Sequence, residues 1–458
     1  MAAIIDMTAR EMARAFRDRS LSPVEATQAA LDRIAARADL NAFVTVVPEL
    51  ALEAARDADA RARVGALRGP LDGIPYSAKD LIDTAGVRTT HGSKVFADNI
   101  PAQDAVSVAR LRASGAVLLG KTTTPEFGHK PEPVSPVSGR TYHPTHPDRT
   151  PGFSSSGAGV AVAAKMGPIA LGSDGGGSIR IPAACCGVVG MKPTLGMVPH
   201  LQLPDLFGAN SYIGPMARGI ADTALMFEAI AGFDSRDPYG QASLPPEQEL
   251  DGLKGLRIGW LPVAGTPIEA ETLAVTSAAV GRLAREGAEV EEIAMDFHAL
   301  EPVFLTVLRA GLAARSGPHM DRHGDLLDET LRQRITEGRA LSAIDLSEAA
   351  FARTRCFREI QDQLARFDVI MSPVLTAPPL RIDRDPNGIV EIAGKPAGTI
   401  RGAWYPYTYP MNLTGHPALS MPCGKTRDGL PVGLQLVTGW YQDRYLLKIG
   451  ALVETALA

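Results

Sequence analysis

The stretch LRIGWLPVAGTPIEAETLAVTSAAVGRLAREGAEVEEIA, residues 256–294, decides the fold class. It opens on a short apolar run, Leu256 to Trp260, of a length that suits a buried strand. Residues 269–287 then read as a helix, and a second strand is expected from about Glu289 to Ala294. Strand, helix and strand in so short a span form a βαβ unit. Similar signals recur along the chain: Ala116 to Leu119 and Val369 to Met371 also read as buried strands. The recurrence predicts an α/β layered fold in one large domain, with no internal repeat and no low-complexity linker.

The chain begins with helices. Thr8 followed by Glu11, and Ser22-Pro23-Val24-Glu25, are capping boxes, the second with proline at the first helical position. In the second helix Val24, Leu31, Ile34, Ala35 and Ala38 are expected on one core-facing stripe. The polar segment from Pro378 to Gly398 reads as a surface excursion.

The bulk numbers exclude several classes. With 458 residues, 45% hydrophobic and 21% charged, the chain is long enough to bury a large core. A net charge of −5 with no basic run argues against nucleic-acid binding. The four cysteines, Cys185, Cys186, Cys356 and Cys423, match neither a disulfide framework nor a zinc site. With no signal-peptide pattern and no long apolar run, a cytoplasmic protein without membrane contact is expected.

Residues 150–194, TPGFSSSGAGVAVAAKMGPIALGSDGGGSIRIPAACCGVVGMKPT, carry the chemistry. Three serines in a row precede a glycine triplet closed by Ser178. Clustered glycines bring backbone N–H groups together without side-chain hindrance, which suits an oxyanion site beside a nucleophilic hydroxyl. No histidine lies in the stretch, so a base must come from elsewhere. Lys79, after the short apolar run of Asp72-Gly-Ile-Pro-Tyr-Ser-Ala-Lys79-Asp80, is a candidate, because burial lowers a lysine pKa and a neutral amine is a competent base. Two other motifs fail on context. Gly115 to Thr122 matches the P-loop pattern, but its middle residues Ala-Val-Leu-Leu read as the strand itself. His143 and His146 are each followed by proline, and His319 with His323 reads as ordinary helix residues, so no metal site is expected.

Taken together, GIPYSAKD (73–80), TPGFSSSG (150–157), SDGGGSIRIPAACCGVVGMKPT (173–194), NLTGHPALSMPCG (412–424) and GLPVGLQLV (429–437) resemble the amidase signature family, in the family's order. The likeness covers most of the chain. It implies one domain over 1–458, with N-terminal helices to about 65, catalytic motifs over about 66–235, and the remainder completing the same domain. The implied fold is a central twisted, mostly parallel mixed sheet flanked by helices. By resemblance Lys79 is the catalytic lysine, Ser154 the bridging serine after a cis peptide bond, and Ser178 the nucleophile. The 24-residue spacing from Ser154 to Ser178 fits the family. The N–H groups of Gly175, Gly176, Gly177 and Ser178 match the oxyanion hole, while Ser155, Asp174 and Arg180 match loop-supporting positions. Phe127, Gly128, His129 and Phe153 are expected to border the substrate pocket. The segment Gly152-Phe-Ser-Ser-Ser-Gly-Ala158 departs from the family, Ser156 and Ala158 standing for a glycine and a small polar residue. That departure touches the local backbone and leaves the three catalytic positions intact.

The resemblance implies a hydrolase acting on amide, carbamate or ester bonds through a Ser178 acyl-enzyme, with no cofactor and as monomer or homodimer. Residues 127–130 offer no obvious carboxylate grip, so a small apolar or aromatic amide, anilide or carbamate is the expected substrate. The alternatives are the glutamine-hydrolysing component of a tRNA-dependent amidotransferase, and a catalytically inactive binding protein.

Overall fold

The computed structural model describes residues 4–208, 210–244 and 248–458. An 11-stranded sheet runs through it. Its strands are β1 (Phe43–Val46), β2 (Pro75–Lys79), β3 (Val117–Thr122), β4 (Ile169–Asp174), β5 (Val189–Lys192), β6 (Tyr212–Ala217), β7 (Arg257–Trp260), β8 (Glu289–Glu292), β9 (Val369–Pro373), β10 (Ala418–Lys425) and β11 (Pro431–Val437). They lie side by side in the order β1-β3-β2-β4-β6-β5-β10-β11-β9-β7-β8. Parallel pairing joins β3, β2 and β4 in one block and β9, β7 and β8 in another. From β4 through β6, β5, β10 and β11 to β9 the pairs are antiparallel, as is the β1–β3 edge. The sheet is therefore mixed, with helices packed along it in an α/β fold.

Local sequence accounts for the pairing. The stretch that announced the fold forms β7, helix Ala270–Arg285 and β8, with β7 and β8 parallel. β8 reads Glu-Val-Glu-Glu and is exposed throughout. A charged edge strand discourages pairing with other chains. β10 and β11 form a hairpin whose connection contains Asp428-Gly429, with Gly429 at φ 81°. The surface excursion after Pro378 holds a small hairpin, Glu391–Ile392 against Lys395–Pro396.

Both expected capping boxes are present, on helices Ala9–Asp18 and Pro23–Ala36. The core stripe of the second helix differs from expectation. Leu31 and Ile34 are buried, Val24 is half-buried, and Ala35 and Ala38 are exposed. The buried face runs instead through Pro23, Ala26, Thr27 and Ala30, and Ala38 lies past the helix end in a 3-10 turn. Alanine occurs on every side of this helix, so its apolar pattern says little about which side faces inward.

The first helix is tied to a distant part of the chain. Asp222, in helix Ile220–Ile230, accepts hydrogen bonds from the N–H groups of Ala9 (2.8 Å) and Arg10 (3.1 Å). A carboxylate there satisfies donors that the helix itself leaves unpaired and complements the helix dipole. Asp222→Ala is expected to lower unfolding stability by about 1–2 kcal/mol, read by denaturant titration. An unchanged midpoint would show that the contact contributes nothing.

Candidate active site

Three neighbouring parallel strands, β3, β2 and β4, deliver the chain to one edge of the sheet at their C-terminal ends, where open α/β sheets bind ligands. β2 ends on Lys79, β3 leads into residues 123–130, and β4 ends on Asp174 ahead of the turn Gly175-Gly176-Gly177-Ser178. Ser154 reaches the same place from the segment before helix Ser156–Ala163, which feeds β4.

Lys79 is fully buried. Its Nζ donates to Ser154 Oγ at 2.7 Å and to the Ser173 carbonyl at 3.3 Å. Burial lowers its pKa to about 7, against a smaller raising effect of the Asp174 charge. Ser154 is buried and follows a cis Phe153–Ser154 peptide bond. Ser178 is half-buried and lines the same cavity as Ser154. Lys79 and Ser154 are thus in direct contact, while no hydrogen bond joins the hydroxyls of Ser154 and Ser178 in this state. Their loops are joined through the backbone, Ser155 N–H donating to the Ser178 carbonyl at 3.1 Å. The Ser155 hydroxyl donates to the Ser173 carbonyl at 3.1 Å and accepts from its N–H at 3.3 Å.

The four N–H groups of the turn do not all face the cavity. Gly177 donates to Asp174 Oδ1 at 2.6 Å. Gly175, Gly176 and Ser178 line the cavity, and their N–H groups have no acceptor among the described residues. The turn therefore offers three open donors, and the fourth holds its shape. Gly177 has φ 122°, and a Cβ there would lie 2.4 Å from Thr408 Oγ1. A Cβ on Gly176 would lie 2.5 Å from the Phe304 ring. Both positions demand glycine.

A buried ion pair fixes this turn. Asp174 accepts from Arg180 Nε and Nη2, both at 3.0 Å, and neither side chain has solvent access. Burial alone would raise the Asp174 pKa, but the Arg180 guanidinium, the Asn412 amide and the Gly177 N–H outweigh it and hold the pKa below the usual carboxylate range. Arg180 also donates to Gln435 Oε1 and the Thr408 carbonyl, each at 2.8 Å, and to Asn412 Oδ1 at 2.7 Å. Asn412 returns Nδ2 to the Asp174 carbonyl at 2.8 Å. Thr408 donates to the Gly176 carbonyl at 2.8 Å. Sequence reasoning missed Asn412, Gln435 and Thr408 as site residues, although Asn412 and Gln435 lie in the two C-terminal motifs that carried the resemblance.

The cavity measures about 350 Å³ and includes all four expected pocket residues, Phe127, Gly128, His129 and Phe153. Phe153 packs against Trp404 and Tyr405, with ring centroids 5.6 and 5.9 Å apart. His129 is bonded at both ring nitrogens, to the Glu126 carbonyl (2.7 Å) and Thr330 Oγ1 (2.9 Å). Burial lowers its pKa to about 4, so it is neutral. Lys130 is paired with Asp328 at 2.9 Å and Glu132 at 3.4 Å.

The discarded motifs fall where their context placed them. The P-loop look-alike is strand β3, with Lys121 buried against the Ile82 carbonyl and Thr84. His143 is a core residue bonded to the Cys185 carbonyl at 2.8 Å. Among the described residues no cluster of three or more His, Cys, Asp or Glu side chains could hold a metal, and no helix is long and apolar enough to cross a membrane.

The amidase family profile matches residues 25–447. An acylamidase of Rhodococcus erythropolis is 34% identical over 456 residues, covering 98% of this chain and 95% of the relative. The glutamyl-tRNA(Gln) amidotransferase of Symbiobacterium thermophilum has a component, its A-type chain, that is also 34% identical, over 97% of this chain and 95% of its own. Among solved structures, a bacterial aryl acylamidase of the amidase signature family superposes with a TM-score of 0.90 at 28% identity, over 98% of this chain and 96% of its own.

Replacing one member of the buried pair would strand the other. Arg180→Met is expected to cost about 3–5 kcal/mol, because Asp174 would remain as an uncompensated buried charge. Denaturant titration would read it, and a loss under about 1 kcal/mol would show that the pair does not hold the turn.

Proposed function

The chain belongs to the amidase signature family, and from that premise we propose that it hydrolyses the C–N bond of small aromatic or apolar amides, anilides or carbamates through an acyl-enzyme on Ser178. One observation carries the reading: a fully buried lysine amine lies 2.7 Å from the Ser154 hydroxyl at the wall of a cavity that also holds Ser178. The similarity to an acylamidase and an aryl acylamidase supports the choice of substrate.

The reaction runs as a proton relay. Neutral Lys79 accepts the proton of Ser154 as Ser154 accepts that of Ser178, whose oxygen attacks the amide carbonyl. This requires the Ser178 side chain to turn toward Ser154 on binding; catalytic hydrogen bonds often tighten only in the complex. Charge developing on the carbonyl oxygen meets the open N–H groups of Gly175, Gly176 and Ser178. The relay then runs backwards, the nitrogen takes the proton, the C–N bond breaks and the amine leaves. Water attacks the Ser178 ester by the same route, releasing the acid and restoring the hydroxyl.

Glutamine hydrolysis within a tRNA-dependent amidotransferase is the second reading, favoured by the similarity to the amidotransferase component. It requires partner chains. Arylamine release from acetanilide and an N-aryl carbamate by the isolated chain separates the two, and the ratio of rates places it as amidase or urethanase.

Ser178→Ala is expected to abolish that release, and Lys79→Ala to lower kcat by at least about a thousandfold at neutral pH. Near-normal hydrolysis by Lys79→Ala would sink the relay. The pH profile follows from the sign of the lysine shift. The base is active when unprotonated, so kcat/KM should be flat above about pH 7 and fall tenfold per unit below it. A limb near pH 10 would mean that the working base is an unshifted lysine.

A further inference from the structure

Helix Glu301–His323 lies along the cavity and gives it two unlike halves. Phe304, Leu308, Leu312, Arg315 and His319 recur at helical spacing on the cavity side. The first three are apolar, and Phe304 sits over Gly176 of the Ser178 turn. Arg315 is different. It lines the cavity at its solvent-exposed side, its Nε donates only to the Gly311 carbonyl of its own helix, and it has no carboxylate partner among the described residues. Beside it His200 carries a buried Nδ1 with no hydrogen-bond partner, and burial together with the Arg315 charge keeps that imidazole neutral. A second arginine, Arg401, lines the same cavity; it donates to the His129 carbonyl at 2.8 Å and forms no ion pair among the described residues. The one acid among the described lining residues, Asp83, lies 3.3 Å from His91, an imidazole whose pKa burial lowers, so Asp83 keeps its negative charge. With Lys130 paired to Asp328 and Glu132, Arg315 and Arg401 together outweigh the single charge of Asp83, and the described lining is net positive.

We infer that Arg315, with the His200 ring beside it, binds a carboxylate carried at the far end of the substrate. The inference rests on the amide-hydrolase reading and narrows its substrate class to amides with an anionic tail. A guanidinium offers a planar fork of N–H donors that matches a carboxylate in two parallel bonds. Arg315 lies 11 residues beyond Phe304, about 16 Å of helix axis, and its side chain leans back toward the helix N-terminus. The anion thus sits well removed from the scissile carbonyl, across an apolar middle that suits an alkyl or aryl spacer.

The test uses two length-matched pairs. Suberanilic acid is compared with nonananilide, which places the charge on the acyl side. The acetyl amide of 4-(4-aminophenyl)butanoate is compared with 4-pentylacetanilide, which places it on the amine side. In one pair the carboxylate is expected to win by at least tenfold in kcat/KM, mostly through KM. Arg315→Gln should bring that ratio close to one, and Arg315→Lys should keep part of it. Calorimetry on Ser178→Ala measures the same preference without turnover. If the acids bind more tightly there but no anilide is hydrolysed by the natural chain, the amide-hydrolase reading fails and the anion site stands. Equal or weaker binding of both acids, or a preference that survives Arg315→Gln, overturns the inference.

Discussion

The buried pair of Asp174 and Arg180 is the constraint on which the site depends. A carboxylate closed off from water must be neutralised and fully hydrogen-bonded, or it protonates. Asp174 meets that condition by drawing in Arg180, Asn412 and the N–H groups of Gly177 and Ile179. Each of those ties moves a different part of the chain. Gly177 closes the turn so that Ser178 faces the cavity, and Arg180 fixes the first turn of a helix in which every residue is buried. Asn412 and Gln435 bring in helix Tyr409–Thr414 and strand β11, more than 200 residues downstream in the chain. The turn is rigid because its geometry satisfies a charge, and that explains how so glycine-rich a segment keeps one conformation.

Burial of a lysine does not by itself make a base. Lys79, Lys121 and Lys192 are all fully buried, and burial lowers the pKa of all three. Their surroundings separate them. Lys121 is held by the Ile82 carbonyl and Thr84, and Lys192 donates to the Pro193 carbonyl at 2.7 Å with its amine 3.8 Å from the centre of the Tyr212 ring. The Thr84 hydroxyl lies outside the cavity lining, and the Pro193 carbonyl has no proton to give. Lys79 alone of the three touches a hydroxyl that lines the cavity, so contact with Ser154 singles it out where the shift does not.

Much of the fold was legible because its signals are local. Cap residues, the apolar run of β7 and the helix that follows it each occupy a few consecutive positions, and each element formed within a residue or two of its expected bounds. The stripe of helix Pro23–Ala36 was not, since alanine on every side gives the pattern no contrast. Strand order was equally hidden: β4 pairs with β6 and β10 with β5 through contacts that no local spacing encodes. In the site, Lys79, Ser154 and Ser178 came from motifs, whereas the inward turn of the Gly177 N–H depends on where the Asp174 side chain points.

The cavity extends this division. The groups that would carry the chemistry stand at the end of β2, ahead of the helix that feeds β4 and just after β4, within motifs whose spacing is itself a signal. The groups that would choose the substrate stand on helix Glu301–His323, where an arginine among leucines and alanines reads as any solvent-facing residue of an amphipathic helix. Residues 127–130 were the natural place to seek a carboxylate grip, and Lys130 there is already neutralised by Asp328 and Glu132. Arg315 and Arg401 are the lining cations without an ion pair among the described residues, and only the packing of helix Glu301–His323 across the mouth of the site turns Arg315 toward the cavity. Arg315 is solvated while the cavity is open, and a substrate that covers it must either meet its charge or strip its water. A substrate with an anionic tail meets that charge, whereas an entirely apolar one long enough to reach it would cover it unpaired.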